Sequence, residues 1–555
     1  MNDLEMLEWS NPVPEVRGNP GPAPMPVDAE APVPLSSRRR RAPRRLLAAA
    51  AAVVVIAGGA VAITTLGDDG GSTDLDATAV TPPGEPGQLG ELVAGGPWRV
   101  LADDPEVFGV ADVALPSEFD PMSTIAFPGQ TLVTGVIADG DGLLAVGQFG
   151  APNQSIAAVW QSADGRTWER IDDEVFGTIA DDLDEGVAVL AKISSVATFD
   201  GVVVAAGSAM TGRTSMGTGE PSGVDDAEVP TWDVTEALWR RGADGVWQRL
   251  DGGLPIGDAD RGPGVGVSLD EVVATESGFV LAGALVTDPQ VSAEVRPRLW
   301  HSPDGSTWTP VATGVLPDGA EVNGLSSSDG MTVAVGSTDD PGFAGDMAAW
   351  HSTDGGLTWA SAETDRGDTD LSQSSMADVV ATPEGFVAVG GHNSGGDVSA
   401  SSTFAGDGQQ LSGDVDVAVW TSEDGRRWEA APSPAINDLE RHDRAFAVEA
   451  LPDGRIVVAA NTDRSDGSGA TTLVGPPDRL ELVADTQPFV FQSLAPGPVP
   501  GQVIAGTSPP YAPFDSEAAD PLAEIRACLL EGIPGSLFVL DATDLPVPAP
   551  LRDED

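Results

Sequence analysis

A short segment rich in tryptophan and aspartate recurs along this chain and constrains its fold more than any other feature. Its fullest copy spans 350–359 and reads Trp-His-Ser-Thr-Asp-Gly-Gly-Leu-Thr-Trp. Copies at 160–168, 300–308 and 420–428 keep both tryptophans, the serine, the aspartate and a glycine, but are one residue shorter. A fifth copy, at 239–247, is worn. Self-similarity of this kind predicts an architecture built from repeated units.

A second pattern lies between these segments and consists of two apolar runs separated by a polar residue and a glycine. Residues 132–137 with 143–147, and 189–197 with 202–207, are clear examples. Because glycine accepts positive φ, a polar residue and glycine between apolar runs predict a β-hairpin. The tryptophan segment also has the form strand, tight turn, strand. One cycle therefore predicts four short antiparallel strands, which we name A, B, C and D.

Radial repetition of four-stranded sheets produces a β-propeller, so the predicted fold class is all-β. Six A–B hairpins are clear, and a degenerate C–D pair at 471–475 and 479–484 follows the sixth. A seventh unit would take its A, B and C strands from 490–494, 502–506 and 536–541. The pattern thus indicates seven blades, with six or eight as alternatives.

The D strand of the seventh unit is predicted at the start of the repeats. Residues 98–109 resemble 168–177, since both begin with tryptophan and end in Glu-Val-Phe-Gly after a pair of aspartates. A ring closed by strands from both termini leaves no free sheet edge. We therefore expect the propeller to be closed by its N- and C-terminal strands.

An apolar stretch precedes the repeats. Six arginines between Arg38 and Arg45 are followed by 21 uncharged residues, 46–66, and then by acidic residues. At about 1.5 Å per residue such a helix spans about 30 Å, the thickness of a hydrocarbon core. Arginines before it place the N-terminus in the cytoplasm and the propeller outside the cell membrane. Cleavage of a signal peptide after Ala62 is the alternative.

The remaining domain boundaries follow from composition. Residues 1–45 are rich in proline and predict a disordered cytoplasmic tail, in which Leu4, Leu7 and Trp9 could dock a partner. Residues 67–95 predict a flexible stalk, 96–545 the propeller, and 546–555 an acidic tail. The formal net charge of −58, from 86 acidic and 28 basic residues, excludes binding to a phosphate backbone.

The pattern Ser352-x-Asp354-x-Gly356-x-x-Trp359 resembles the Asp-box, or bacterial neuraminidase repeat. The resemblance implies a sialidase-like β-propeller in which the motif is structural and lies away from the active face. An aspartate can accept backbone N–H groups within a turn, glycine supplies the unusual dihedral angles, and tryptophan can cover the turn.

The residues predicted to be structural in this way are Ser162, Asp164, Gly165, Trp168, Asp244, Gly245, Trp247, Ser302, Asp304, Gly305, Trp308, Ser352, Asp354, Gly356, Trp359, Ser422, Asp424, Gly425 and Trp428.

Other chemistry-bearing residues suggest no catalytic centre, metal site or cofactor. His301 and His351 occupy equivalent positions in two repeats, and no His-x-x-His or Cys-x-x-Cys spacing exists. Asp139 with Asp141 is better explained as a hairpin tip than as a ligand pair. Lys192, the only lysine, indicates no catalytic role, and Cys528, the only cysteine, is expected to be a buried thiol.

Because Asp-box propellers include sialidases, an enzymatic function must be considered. The resemblance implies an arginine cluster, a tyrosine nucleophile, an acidic partner and an Arg-Ile-Pro motif. The only tyrosine, Tyr511, lies in a proline-rich stretch, and no Arg-Ile-Pro is present. The resemblance therefore favours the scaffold over the activity.

The lengths of the connections indicate a binding surface. In a four-stranded blade the A–B and C–D turns share one end of the sheet, and the B–C and D–A connections share the other. The long insertions, 208–233, 284–296, 391–416 and 102–129, all belong to the second end. Insertions confined to one end indicate a binding surface.

We therefore predict a non-catalytic module that binds an extracellular protein or glycan, mainly through 208–233 and 391–416. The alternative is an extracellular glycoside hydrolase or lyase of sialidase-like shape. Acids and arginines around the central channel would favour this alternative, and an acid-free mouth would oppose it. A third hypothesis is signalling across the membrane through the 1–45 tail.

Overall fold

The structure is a computed structural model. It describes residues 93, 96–111, 129–140, 142–180, 187–213, 232–250, 252, 254–256, 265–287, 295–311, 314–338, 346–365, 374–393, 415–432, 434, 442–463, 469–487, 489–508 and 534–545. Two compact units are distinguished, Met1–Ala42 and Pro43–Asp555, and every described residue belongs to the second. The predicted tail, the apolar stretch 46–66, Tyr511 and Cys528 lie outside the described residues.

Within these ranges, no helix has the length and apolar character needed to cross a membrane. The described chain is built almost entirely of strands, and its one α-helix is the short α1 (Pro105–Phe108).

The strands follow the predicted repeat. The first cycles are β1 (Arg99–Ala102); β2 (Leu132–Asp139), β3 (Gly142–Ala151), β4 (Gln154–Ser162), β5 (Glu169–Arg170); β6 (Val187–Phe199), β7 (Val202–Arg213), β8 (Trp232–Arg241), β9 (Trp247–Arg249); β10 (Val265–Thr275), β11 (Gly278–Thr287), β12 (Val295–Ser302), β13 (Thr309–Pro310).

The later cycles are β14 (Glu321–Ser328), β15 (Met331–Thr338), β16 (Asp346–Ser352), β17 (Ala360–Ser361); β18 (Glu363–Asp365), β19 (Ser374–Thr382), β20 (Gly385–Asn393), β21 (Val415–Ser422), β22 (Arg427–Ala430); β23 (His442–Ala450), β24 (Ile456–Asp463), β25 (Gly469–Gly475), β26 (Glu481–Gln487); β27 (Val490–Pro496), β28 (Gln502–Ser508), β29 (Ser536–Asp541).

Each cycle pairs as an antiparallel A–B–C–D sheet, as in β10-β11-β12-β13 and β14-β15-β16-β17. A short parallel pairing of β4 with β6 joins the first two cycles into one sheet of eight strands. Another parallel pairing adds β18 to the outer edge of the sheet that contains β22. The predicted all-β fold with several four-stranded antiparallel sheets is confirmed.

The A–B turns are tight, as the polar-glycine pairs predict. In the β6–β7 turn, Asp200 and Gly201 have φ of 51° and 73°; in the β14–β15 turn, Asp329 and Gly330 have φ of 50° and 75°. Positive φ at both central residues is typical of a type I′ turn, whose twist matches that of the strands it joins.

The hydrophobic core is divided into clusters, each of which lies between two consecutive sheets. One cluster packs Trp239 of β8 against Phe176 and Val159 of the preceding cycle. Another packs Trp160 of the first cycle against Ile504 of the last. The A strands contact one another in the order β2, β6, β10, β14, β19, β23, β27 and back to β2. Sheets arranged in this way around the A strands form a β-propeller.

The last sheet takes strands from both ends of the described chain, because β1 pairs antiparallel with β29. Trp98, which precedes β1, is fully buried and donates a hydrogen bond of 2.8 Å from Nε1 to Thr472 Oγ1. Its ring lies 5.5 Å from that of Phe491. Strand β1 therefore occupies the D position predicted for it.

The likeness between 98–109 and 168–177 is also structural. Trp160 Nε1 donates to the carbonyl of Val107 at 3.0 Å, and Trp239 Nε1 donates to that of Val175 at 2.8 Å. These two C-strand tryptophans thus hold equivalent segments, each of which leaves the preceding sheet.

Several strands are longer than the sequence predicted, which corrects the bounds of the expected loops. The β7–β8 ladder continues to the pair Gly212↔Trp232, so the two ends of 208–233 are strand. The ends of 391–416 likewise belong to β20 and β21. The ends of the apolar runs predict the ends of the strands, but backbone pairing continues into the polar residues that follow them. The centres of both segments, 214–231 and 394–414, lie outside the described residues.

Candidate functional site

The Asp-box turns lie at the end of the sheets that also carries the A–B turns. Asp164 Oδ1 accepts the backbone N–H groups of Arg166 and Thr167 at 2.8 and 2.7 Å. These two hydrogen bonds are the first causes that lower the pKa of Asp164 to about 2. Trp168 Nε1 donates to the Gly165 carbonyl at 3.2 Å. The aspartate is therefore engaged in closing its own turn.

The bonds to the carboxylate recur in three other copies, and the indole bond recurs at Trp359, whose Nε1 donates to the Gly356 carbonyl at 2.9 Å. Asp304 accepts two backbone N–H groups at 2.9 Å each, Asp354 accepts two at 3.1 and 2.8 Å, and Asp424 accepts two at 2.9 and 3.3 Å. In the worn copy, within the described residues, Asp244 accepts one backbone N–H, that of Val246, at 3.2 Å. The copy that has lost the serine of the motif thus also has fewer hydrogen bonds to its aspartate.

These turns also contact the neighbouring sheet. Ser277 Oγ and Thr275 Oγ1, at the β10–β11 turn, donate to the Gly355 carbonyl of the next Asp-box at 3.1 and 3.2 Å. The His301 ring meets Ser277 Oγ at 3.0 Å, so it takes part in this local network. His351 lies on another sheet, in β16, and is not brought together with His301.

Other predicted positions also take structural contacts. Asp139, at the end of β2, pairs with the Arg241 guanidinium at 2.5 Å, while its suggested partner Asp141 lies outside the described residues. In the part of the chain that the structure covers, no group of three or more His, Cys, Asp or Glu side chains could hold a metal ion.

The innermost strands carry a feature that the sequence did not reveal: each has a bulge at the same register. We call the bulged residues the collar. They are Thr134, Ser194, Asp270, Asn323, Ala377, Phe446 and Gln492. The residue before each of them is buried, whereas every collar residue is partly or largely exposed. Each collar residue lies on an A strand, and the A strands contact one another in a ring, so the collar lies on the strands that surround the central channel.

Neighbouring A strands are tied together at this level. Thr134 Oγ1 donates to the Ile193 carbonyl at 2.7 Å, and Asn323 Nδ2 donates to the Met376 carbonyl at 2.8 Å. Ser493 Oγ donates to the Val133 carbonyl at 3.3 Å, which links the last cycle to the first. These bonds position the collar around the channel.

Carboxyl groups are concentrated beside the collar. Burial raises the pKa of Asp270 to about 6, and burial followed by the Asp378 carboxylate raises that of Glu271 to about 8. Burial also raises the pKa values of Asp378 to about 6 and of Glu449 to about 7. Hydrogen bonds partly compensate this burial: Asp378 accepts from Val448 N–H at 2.9 Å, and Glu271 accepts from Ser195 Oγ at 2.9 Å.

Two basic residues stand among these acids. Lys192 is only 7% exposed, and burial lowers its pKa to about 8 despite the attraction of Asp270. Within the described residues, its ammonium donates no hydrogen bond. The Arg444 guanidinium lies 5.6 Å from the ring centroid of Phe446, which is itself 40% exposed.

This site is not predicted by the repeat pattern, although the sequence contains a signal for it. Asp270 and Glu271 interrupt the apolar run of an A strand, and Lys192 does the same in β6. Charged residues within a run that otherwise builds a core indicate a channel or a site.

No model of a protein family matches this chain, and no curated protein matches it. The structure is similar to a Trypanosoma rangeli sialidase, with 14% identity, a TM-score of 0.35, and coverage of 63% of this chain and 54% of that one. The chain thus matches about half the length of the sialidase.

It is also similar to YCF48 from Cyanidioschyzon merolae, with 9% identity, a TM-score of 0.37, and coverage of 76% and 99%. For the phage phi92 endosialidase the identity is 10%, the TM-score 0.38, and the coverage 78% and 70%. Because these TM-scores lie below 0.5, the fold assignment rests on the strand pairing described above.

Proposed function

We propose that this chain is a β-propeller module that binds an extracellular protein or glycan without catalysis. The observation that carries this proposal is the difference between the two ends of the sheets. The A–B turn between β6 and β7 uses only Asp200 and Gly201, whereas the B–C connection of the same cycle spans 214–231. The B–C connection between β20 and β21 spans 394–414. Long connections on a rigid scaffold are a common place for binding residues.

Replacing 214–231 and 394–414 with short Gly-Ser links tests this proposal. We expect the replacement to weaken binding in a screen of extracellular proteins and glycans with the full chain. A matched control inserts the same Gly-Ser sequence at Asp200-Gly201, at the opposite end, and should retain binding. Equal binding by both variants would contradict the role of the long connections.

The architecture and location belong to the same proposal. We propose seven blades, closed by the pairing of β1 with β29, which the cyclic contacts of the A strands support.

We also propose that 46–66 anchors the chain in the cell membrane with the N-terminus in the cytoplasm, and that the 1–45 tail binds a cytoplasmic partner. Protease treatment of intact cells should remove the propeller and leave the tail; loss of the tail instead would reverse this topology.

A second candidate function is glycan cleavage by a hydrolase or lyase. The specific observation in its favour is that Glu271, Asp378 and Arg444 all lie on innermost strands, where carboxyl groups of different pKa could act as acid and base. If the chain turns over a chromogenic glycoside, Glu271→Gln should reduce kcat at least about 100-fold. Absence of turnover by the unaltered chain would dismiss this candidate.

A further inference from the structure

We propose that Glu271, Asp378 and Glu449 form a proton-dependent latch between the innermost strands β10, β19 and β23. The latch is closed while these carboxyl groups hold protons, and it loosens when they lose them. This inference goes beyond the proposed binding function and does not rest on it.

The residue that follows each collar residue determines how neighbouring A strands are linked. Ser195 Oγ accepts the backbone N–H of Val272 on β10 at 3.1 Å. Asp378 Oδ2 accepts the N–H of Val448 on β23 at 2.9 Å, and Val448 has the same register as Val272. The same link is thus made by a hydroxyl in one cycle and by a carboxyl in another. In chain order, the residues at the linking position are Gly135, Ser195, Glu271, Gly324, Asp378, Ala447 and Ser493.

The carboxyl link has two further acids around it. Glu271, on β10, lies within reach of the Asp378 charge. Strand β14, between β10 and β19 in the ring, carries Gly324 at this register, where a Cβ atom would lie only 3.0 Å from Asp378 Cα. Glu449 follows the linked Val448 directly and also lies within reach of the Asp378 charge. Three carboxyl groups from separate strands therefore meet at one link.

The basic residues of the innermost strands act on other acids. Lys192, on β6, attracts Asp270, and Arg444, on β23, attracts Glu321 of β14. Neither base is among the groups that shift the pKa values of the three latch carboxyls. Like charges repel strongly where solvent is excluded, so ionisation of all three carboxyls opposes the close packing of their strands.

The pKa values agree with this arrangement. Burial first raises them to about 6 for Asp378, about 7 for Glu449 and about 8 for Glu271, and the Asp378 charge adds to the increase at the two glutamates. A raised folded pKa contributes stability below the unfolded pKa, and this contribution is lost as the pH rises through the folded value. The latch should therefore loosen between about pH 6 and pH 8. A protonated carboxyl can still accept the Val448 N–H, so the link itself does not require the charge.

Hydrogen exchange of the full chain at pH 6 and pH 9 tests the latch, if it is resolved to single amides and corrected for the intrinsic exchange rate. We expect the protection of the Val448 N–H to fall at least about tenfold between these pH values, which corresponds to one pKa unit of lost stabilisation. The amide of Val333 is the internal reference, because it lies on β15, in a sheet that holds none of the three carboxyls. Its protection should stay the same.

The double variant Glu271→Gln with Glu449→Gln removes two of the charges and leaves the Asp378 carboxyl as acceptor. It should lose most of the pH dependence at Val448. Asp453→Asn, in the turn between β23 and β24, is the matched control and should keep the full decrease. Thermal unfolding at pH 6 shows whether each variant is folded.

Two results with the unaltered chain would overturn the inference: equal protection of Val448 at both pH values, or an equal decrease at Val333. A folded double variant that keeps the full decrease would overturn it as well. The measurement needs no ligand, so its outcome is independent of the binding proposed for the long connections.

Discussion

At the scale of single residues, the Asp-box aspartates show how one carboxylate can hold a turn. Asp304 accepts two backbone N–H groups and the hydroxyl groups of Ser302 and Ser306. Burial opposes ionisation of Asp304, but its hydrogen bonds together lower its pKa to about 2. Since its folded pKa is depressed, its stabilising effect is complete above the unfolded pKa near 4 and is lost as the pH falls toward 2.

Asp304→Ala should lower the free energy of unfolding by about 1 kcal/mol, because two exposed backbone N–H groups of the turn exchange the carboxylate for water. Asp244→Ala is the matched control, since the worn copy has a single bond from Val246 N–H. Urea unfolding monitored by tryptophan fluorescence measures both variants. Equal losses in the two variants would contradict the role assigned to the second N–H bond.

The carboxyl groups at the channel behave in the opposite way. Burial first, and then the nearby Asp378, raise the pKa of Glu271 from 4.5 to about 8. A raised folded pKa contributes stability below the unfolded pKa, and this contribution is lost as the pH rises through about 8. Glu271→Gln removes the titrating proton while keeping a similar shape.

We therefore expect Glu271→Gln to have little effect on the unfolding temperature at pH 5 and to raise it relative to the unaltered chain at pH 9. Asp453→Asn, in the A–B turn of β23 and β24, is the comparison, since Asp453 lies outside the channel. Thermal scans across this pH range give the result. A Glu271→Gln curve parallel to that of the unaltered chain would show that Glu271 does not carry the raised pKa.

At the scale of elements, the pairing of β1 with β29 completes the last sheet with a strand from the start of the propeller. Trp98 anchors this strand through its contact with Phe491 and its hydrogen bond to Thr472. The pairing covers the edge of β29, which would otherwise present free backbone groups to other chains.

Trp98→Ala should destabilise the propeller by about 3–5 kcal/mol and expose the β29 edge. Trp98→Phe keeps an aromatic side chain and loses the indole hydrogen bond, so it should cost only about 1 kcal/mol. Hydrogen exchange of Ser536–Asp541 measures the exposure. Continued slow exchange of this strand in Trp98→Ala would show that β1 stays paired without its anchor.

At the scale of the whole molecule, the formal charge of −58 is a source of self-repulsion. Charge repulsion between surface acids opposes the compact state, and dissolved salt screens it. The cyclic packing of the sheets must therefore hold against this repulsion.

Raising NaCl from about 20 mM to about 500 mM should increase the unfolding temperature by a few degrees, because the Debye length shortens several-fold. The same titration with Trp98→Ala should show a similar increase from a lower starting temperature. A decrease with salt would mean that attractive ion pairs, such as that of Arg241 with Asp139, outweigh the repulsion.

The sequence allowed the repeat, the strand order and the displaced strand β1 to be predicted, because these depend on local patterns such as Asp-Gly turns and paired tryptophans. The collar could not be predicted in the same way. A bulge at Asp270 or Phe446 depends on pairing with the B strand, which has no local sequence signature. The burial of Lys192 near Asp270 could not be predicted either, because it results from two strands far apart in sequence.

The common position of the bulges also bears on how this protein could be altered. A bulged residue has no partner in the ladder of backbone pairs, so exchange of its side chain should leave the register of the paired residues on either side unchanged. A library that varies the collar residues Ser194, Ala377 and Gln492 would therefore change side chains of the innermost strands while the pairing of the sheets stays constant. In each A strand, the bulged residue can be varied, whereas the paired residues must be kept to hold the sheet together. This separation makes the scaffold suitable for engineered receptors.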